Sequence, residues 1–238
     1  MKALEEASAF GLRQLPILLR GEVASLEAWL QERDARRILF QSVVIVVGAG
    51  LFGAAIGAWR APLQALYLAA KLPLILILTA VFNGLANGML APLLGLNIGF
   101  RQSFLLVLSS FAIAAAILAG FSPVMLFLIW NAPAADVSGV SFHVILLTGI
   151  MAIAFAGVAA NVRLLGFLRG IAKDGKTARG VLLAWLSGNL FLGAQISWNL
   201  RPFVGSPEMK VEFLREDAFS GNFYESVLRV VGRMISSL

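Results

Sequence analysis

Long apolar runs alternate with short polar or basic stretches along this chain, and five of the runs are long enough to cross a bilayer. They lie at about 38–58, 70–94, 103–130, 141–162 and 181–200. At a rise of 1.5 Å per residue, about 20 residues of helix cross the roughly 30 Å hydrocarbon core. The pattern therefore predicts an all-α fold, a polytopic helical membrane bundle of about five transmembrane helices.

The third run is longer than one span needs, and it contains Gly120 and Pro123. Proline removes a backbone donor and clashes with the preceding turn, so a kink is expected there. A break into two half-spans stays open as an alternative, and it would change the number of crossings.

Amphipathic segments flank the apolar runs. The stretch "GEVASLEAWLQERDARR" predicts a helix that lies on the membrane surface. In "NFYESVLRVVGRMISSL", Val227, Val230 and Met234 share one helical stripe. Three parts follow: a cytoplasmic amphipathic segment at 1–37, the transmembrane bundle at 38–200, and an interfacial tail with a short amphipathic helix at 201–238.

Composition supports lipid as the main solvent of the chain. Hydrophobic residues make up 59% and charged residues 13%, against about 25% charged in soluble domains. The net charge of +6 comes mainly from basic residues beside apolar runs, which is typical of orientation determinants and contacts with anionic lipid. We therefore expect the lipid bilayer, and no nucleic acid, among the partners.

Basic residues also predict the orientation. They are frequent before the first run and in the 163–179 segment, and they are absent from "NAPAADVSG" at 131–139. With five spans, both basic segments fall on one side, which is cytoplasmic by the positive-inside rule. The prediction is a multi-pass protein of the inner (plasma) membrane with a cytoplasmic N-terminus.

Glycines in the first run have the spacing of a dinucleotide fingerprint, at Gly48, Gly50 and Gly53. That fingerprint needs a preceding strand and an acidic residue about twenty positions later, and this run continues as one apolar span. Gly53 and Gly57 instead form a small-residue face with Ala49, which favours close helix packing.

The second run is the most polar, and its polar residues share a slowly drifting helix face. They could line a pore, or they could hydrogen-bond to other helices, and we favour the second interpretation. Lys71 lies near the expected span end, where it can snorkel, with Pro73 in the first helical turn. The face comprises Lys71, Thr79, Asn83 and Asn87, and a GxxxG pair of Gly84 and Gly88 lies beside it.

Polar residues recur in the last run as well. Gln195 and Asn199 share a face, and Arg201 follows at the expected headgroup level. Trp185 and Trp198 lie toward opposite ends of the run, where aromatic belts form. We interpret this polarity as helix packing and anchoring rather than catalysis.

The acidic residues are informative by their position, because all 13 lie outside the five runs. Proton-coupled carriers usually need an intramembrane carboxylate or histidine. Membrane-embedded aspartyl and zinc proteases need paired Asp or HExxH, which the sequence lacks. With no cysteine and one histidine, we predict no catalytic, cofactor or metal site and no enzymatic activity. A serine paired with lysine or with His143 stays open by residue count.

Two stretches carry a family resemblance, "AAKLPLILILT" and, more specifically, "GAQISWNLRPFVGSP". With five spans and an amphipathic N-terminal segment, the chain resembles the YIP-like group of bacterial membrane proteins over about 38–225. The eukaryotic members of that family are implicated in membrane trafficking and Rab GTPase binding. Their Asp-Leu-Tyr-Gly-Pro signature is absent here, so the resemblance implies topology and transfers neither Rab binding nor any residue role.

The sequence therefore favours a non-enzymatic membrane scaffold or assembly component that binds other membrane helices or a second copy of itself. The alternative is a channel or facilitative transporter with a polar pathway along the second and fifth spans. A membrane-embedded lipid-processing enzyme is a third, weaker alternative.

Overall fold

Helices dominate the described part of the chain, and five of them are long and apolar enough to cross a membrane. The computed structural model describes residues 35–133, 139–204 and 210–236. The predicted N-terminal surface helix lies outside these residues. In chain order the helices are α1 (Ala35–Gly57), α2 (Pro62–Leu93), α3 (Phe100–Asn131), α4 (Gly139–Ile171), α5 (Gly175–Asn199) and α6 (Phe223–Ser236).

The all-α, five-span prediction is confirmed, and α3 answers the question of the overlong third run. This helix continues without a break from Phe100 to Asn131, with Pro123 inside it. A single missing backbone donor does not end a helix whose neighbouring turns remain bonded. The third run is therefore one span, and the half-span alternative is wrong.

The boundaries of α2 and α4 differ from the predicted ones. α2 begins at Pro62 rather than near 70, so Pro62 takes the first-turn position and Pro73 lies inside the helix. α4 continues to Ile171 instead of ending near 162. Apolar pattern alone ends a span where polar residues begin. α2 continues further toward its N-terminus because a protein partner, the Phe203 carbonyl, satisfies the polar side chain of Gln64.

Small residues set the distance between α1 and its neighbours. α1 packs most extensively against α2 and α3. A side chain at Gly53 would collide with the Leu68 carbonyl, and one at Gly57 would come within 2.8 Å of the Ala65 Cα. Gly48 approaches the Ala115 backbone in the same way. The GxGxxG glycines thus lie within one helix and serve packing.

α3 is the most buried span, and α4 and α5 lie at the outside of the bundle. The share of the spanning stretch that is buried falls from 56% in α3 to 22% in α4 and 11% in α5. Only residues 172–174 connect these two outer helices. Asp174 caps α5, because its Oδ1 accepts a hydrogen bond of 2.7 Å from the Thr177 amide. That bond holds the pKa of the Asp174 carboxyl below its ordinary value.

The tail returns to α5 and ends in the amphipathic helix α6. The Tyr224 hydroxyl donates to the Phe191 carbonyl at 2.6 Å, and the two rings stack with centroids 4.8 Å apart. Beyond this attachment the apolar side chains Val227, Leu228 and Met234 are exposed. An apolar stripe of this kind is typical of a helix in the membrane interface.

Candidate functional site

The polar residues of α2 form a buried line through the bundle. Lys71, Thr79, Asn83 and Asn87 are each at most 2% exposed. Lys71 contacts the segment after α5, Asn83 contacts α5, and Thr79 faces Gly193 of α5. The predicted shared face is therefore present, and it meets protein at Lys71 and Asn83.

Lys71 holds the segment after α5 against the bundle. Its Nζ donates to the Pro202 carbonyl at 2.6 Å and lies 5.0 Å from the centroid of the Phe213 ring. Gln64 donates to the next carbonyl, that of Phe203. The expectation that Lys71 snorkels at a span end is wrong: it is fully buried, because α2 begins well before it and the tail covers it.

Asn83 joins α2 to α5. Its Nδ2 donates to the Trp185 carbonyl at 3.1 Å and to the Asn189 Oδ1. Gly188 makes the close approach possible, because a side chain there would collide with the Asn83 amide. Trp185 itself is fully buried. Its predicted place in an aromatic belt is therefore wrong, because it fills the space between α5 and the core rather than an interface.

Two members of the line lack a protein partner. Thr79 Oγ1 and Asn87 Nδ2 are buried and make no hydrogen bond within the described residues. Leaving a buried polar group unsatisfied costs about 1–3 kcal/mol. The line is thus not a closed network.

The Gly84 and Gly88 pair accommodates aromatic rings rather than a helix backbone. A side chain at Gly84 would come within 2.5 Å of Phe104 Cδ2, and one at Gly88 would overlap the Phe100 ring. Both phenylalanines belong to α3. The GxxxG spacing therefore permits ring packing here.

Gln195 and Asn199 connect the end of α5 to the tail. Gln195 Nε2 donates to Asn199 Oδ1, and the Phe223 amide donates to Gln195 Oε1, both at 3.1 Å. Both side chains are half-buried. They thus fix the start of α6 relative to α5.

Arg201 folds back over the end of α5. Its Nε donates to the Trp198 carbonyl at 2.7 Å, and its guanidinium carbon lies 3.2 Å from the centroid of the Trp198 ring. Burial, and then the nearby charge of Arg215, lowers the pKa of the Arg201 guanidinium. The side chain therefore packs on an aromatic ring at the helix end.

The structure does not bring Ser109 and His143 together. Ser109 lies in the first third of α3, where its Oγ donates to the Leu105 carbonyl and accepts from Gln41 Nε2, both at 2.7 Å. His143 lies near the start of α4, beside the opposite end of α3. Among the described residues, no group of three or more His, Asp and Glu side chains could hold a metal ion.

A feature that the sequence analysis missed is a largely apolar cavity of about 650 Å³ lined by residues of α2, α3, α4 and α5. A second cavity of about 250 Å³ adjoins it toward Phe203 and Val204. The two share lining residues, among them Ile75, Leu118 and Ser197. The run of small residues "AIAFAGVAA" in α4 was the available indication, but cavity formation depends on how far the outer helices stand from the core.

None of the described residues that line the cavities carries a charge, and a few polar side chains, among them Asn161 and Asn189, interrupt the apolar lining. Together with the buried α2 line, they form the candidate functional region of the bundle. Comparisons with protein-family models, curated proteins and solved structures return no match to this chain.

Proposed function

We propose that this chain is a non-enzymatic integral membrane scaffold or assembly component that binds other membrane helices. One observation carries the proposal: α5 has the lowest mean hydropathy of the five spans and is also the least buried, at 11%. Within a bilayer, the less apolar helices are expected inside a bundle, where protein covers their polar positions. In a single copy of the chain, α5 is instead the most exposed of the five spans. A partner helix packed against it would cover its polar positions.

The outer face of α5, defined here as Gly180, Leu183 and Ser187, has the composition of a helix-binding surface. All three residues are exposed, and they recur at spacings of three and four. A side chain at Gly180 would meet nothing within 4 Å. Gly180 and Ser187 are seven residues apart, which is the repeat of left-handed helix packing, and small residues favour close approach there. Nothing in the described part of the chain uses this surface.

The alternative of a polar transport pathway has less support. Lys71 is hydrogen-bonded to Pro202, and Asn83 to α5, both inside the protein. The cavities beside this line are lined almost entirely by apolar side chains. Polar solutes need a chain of hydrogen-bonding groups along their path, and such a chain is interrupted here by apolar surface.

Site-specific photo-crosslinking tests the scaffold proposal. We expect a benzoylphenylalanine residue at Leu183 or Ser187 to give discrete protein adducts in native membranes, because a partner helix covers this face. The matched control is Val43 or Val47 on the exposed side of α1, where lipid should be the main adduct. Lipid adducts alone at all four positions would reject the proposal.

Orientation and family form part of the same proposal: an inner-membrane, YIP-like protein with a cytoplasmic N-terminus. The exposed basic residues Lys173, Lys176 and Arg179 at the α4–α5 connection support the orientation, because basic residues favour the cytoplasmic side. Because the chain has no cysteine, single cysteines report cleanly. We expect Lys176→Cys to be shielded from an impermeant maleimide in intact cells and Ser220→Cys to be labelled. The reverse pattern would invert the topology.

A further inference from the structure

The joined cavities form a cleft that faces the hydrocarbon core of the bilayer. One wall consists of α4 residues from Ile145 to Leu165, a distance of about 30 Å along a helix. At the opening, Val158, Val162 and Leu190 are 65–66% exposed. Since α4 and α5 cross the membrane, these exposed side chains lie against lipid. The cleft is thus accessible from the bilayer, between α4 and α5.

Three polar groups in the cleft are available to a ligand. Thr79 Oγ1 has no hydrogen-bond partner and its residue is 2% exposed. Asn161 donates through Nδ2 to the Gly157 carbonyl at 2.8 Å, and its buried Oδ1 has no partner. Asn189 accepts from Asn83 through Oδ1, so its amide N–H groups remain as donors. The cleft therefore presents an acceptor, a donor and a hydroxyl.

Asn161 and Asn189 lie at similar depths. α4 and α5 run antiparallel from the short connection at 172–174, which brings Asn161 to within about one helical turn of Asn189 in depth, roughly 6 Å. Thr79 lies farther from that connection, because its Oγ1 is 3.8 Å from where a Cβ at Gly193 would lie, one turn beyond Asn189. One small polar group near the middle of the bilayer can therefore approach both Asn161 and Asn189.

We propose that this cleft binds an uncharged lipid with a free hydroxyl group, such as a diacylglycerol or a long-chain alcohol. Hydrocarbon chains fill the apolar cavity, which would otherwise leave its lining without contacts. A hydroxyl both donates and accepts, so it can donate to Asn161 Oδ1 while it accepts from the Asn189 amide. A charged headgroup has no counter-charge among the described lining residues and does not reach this depth cheaply.

The outer face of α5 lies on another side of that helix from the cleft. Either the lipid site or the scaffold proposal can therefore be wrong while the other is correct. Photo-crosslinking through the lipid rather than through the protein keeps their tests apart.

The test uses the full chain in phosphatidylcholine vesicles that contain one of two photoactivatable lipids with identical diazirine acyl chains. One is a diacylglycerol and the other a phosphatidylcholine. We expect the diacylglycerol to label α4 peptides around 153–165 about three- to tenfold more strongly, which is the ratio that one net hydrogen bond supplies. Equal labelling by the two lipids would overturn the proposal.

Two glycines of α4 offer a matched pair of variants. A side chain at Gly157 would project into the cavity, and one at Gly166 would project outward. At neither position would a Cβ meet another atom within 4 Å. Gly157→Leu should therefore abolish the preference for diacylglycerol without a steric clash, while Gly166→Leu should preserve it. Loss of the preference in both variants, or in neither, contradicts the assigned site.

Asn161→Leu separates hydroxyl recognition from chain filling. It removes the acceptor at similar volume, and that Oδ1 has no protein partner to lose. The bond that it breaks runs from Nδ2 to the Gly157 carbonyl of the same helix. We expect the preference for diacylglycerol to fall while thermal stability without lipid is unchanged or higher. An unchanged preference would remove Asn161 from the site and with it the hydroxyl assignment.

Competition distinguishes the two sources of the hydroxyl. Unlabelled oleyl alcohol that displaces the photoactivatable diacylglycerol identifies a site for any long-chain alcohol, and displacement by dioleoylglycerol alone identifies a glycerolipid site. Displacement by neither contradicts a saturable site.

A benzoylphenylalanine at Val158 that yields a discrete protein adduct in native membranes would instead show that a partner helix occupies the cleft, and would reject the lipid.

Discussion

Replacing Gly53 by leucine is expected to force α1 away from α2 and to lower the free energy of unfolding in detergent by about 3 kcal/mol or more. The reason is the kind of atom that the new side chain meets. Its Cβ would collide with the Leu68 carbonyl oxygen and lie 2.7 Å from the carbonyl carbon. These are backbone atoms inside a helix, so the clash can be removed only if one whole helix moves. Thermal unfolding of the purified protein, followed by helical circular dichroism, measures the loss.

Two other glycines provide graded controls for that experiment. At Gly84 the nearest atom is Phe104 Cδ2 at 2.5 Å, the end of a side chain that can rotate, so Gly84→Leu should cost less, about 1–2 kcal/mol. At Gly120, which is exposed, a side chain meets nothing within 4 Å, and Gly120→Leu should be close to neutral. Equal losses at Gly53 and Gly120 would show that backbone contact is not what makes Gly53 sensitive.

The first and second spans show what the sequence predicts well. Spacing alone identifies the small-residue face of α1, because a helix repeats every 3.6 residues whatever it packs against. The same rule places Lys71, Thr79, Asn83 and Asn87 on one face of α2. A pattern within one helix contains no information about its neighbour. It therefore could not show that Gly53 meets the α2 backbone while Gly84 meets a phenylalanine ring.

Trp185 and the cleft show where the sequence fails. Position within an apolar run predicts membrane depth, and Trp185 lies at a depth that is compatible with an aromatic belt. Whether it faces lipid or protein depends on the rotation of α5, which the Asn83–Trp185 hydrogen bond and the packing of Gly188 determine. The cleft is harder still to predict from the sequence, because it exists only if α4 and α5 lie at a distance from the α1–α3 core. Such distances between helices follow from many weak contacts together.

The tail attachment depends on two polar residues of α2 whose partners are distant in the chain. In the first third of α2, Gln64 donates to the Phe203 carbonyl and Lys71 to the Pro202 carbonyl, 139 and 131 positions away. Local hydropathy leaves Gln64 outside the predicted 70–94 run, and it cannot show that Lys71, just inside that run, is buried beneath the tail. The same two bonds bring Phe203 and Val204 to the end of the smaller cavity. Lys71 is therefore expected to control access to that end of the bundle.

Lys71→Met is expected to release the segment after α5 while the transmembrane bundle stays folded. Methionine matches the apolar stem of the lysine side chain but has no amine to donate to the Pro202 carbonyl. It also loses the contact of the amine with the Phe213 ring, 5.0 Å from the ring centroid. A hydrogen bond from a charged donor contributes about 2 kcal/mol, which corresponds to roughly 30-fold in a local opening equilibrium.

A single cysteine at Val204, where the native residue is 5% exposed, reports this opening. In the otherwise unchanged chain it should react slowly with a water-soluble maleimide, and in the Lys71→Met background its rate should rise by about the same 30-fold. Gln64→Leu should give a smaller increase, because it removes a neutral donor and leaves Lys71 in place. Lys176→Met, at an exposed lysine outside this contact, should leave the rate unchanged. The cysteine could instead react at the same slow rate in the Lys71 and the Lys71→Met backgrounds. That result would mean that packing of Phe203 and Val204, rather than the lysine, holds the tail on the bundle.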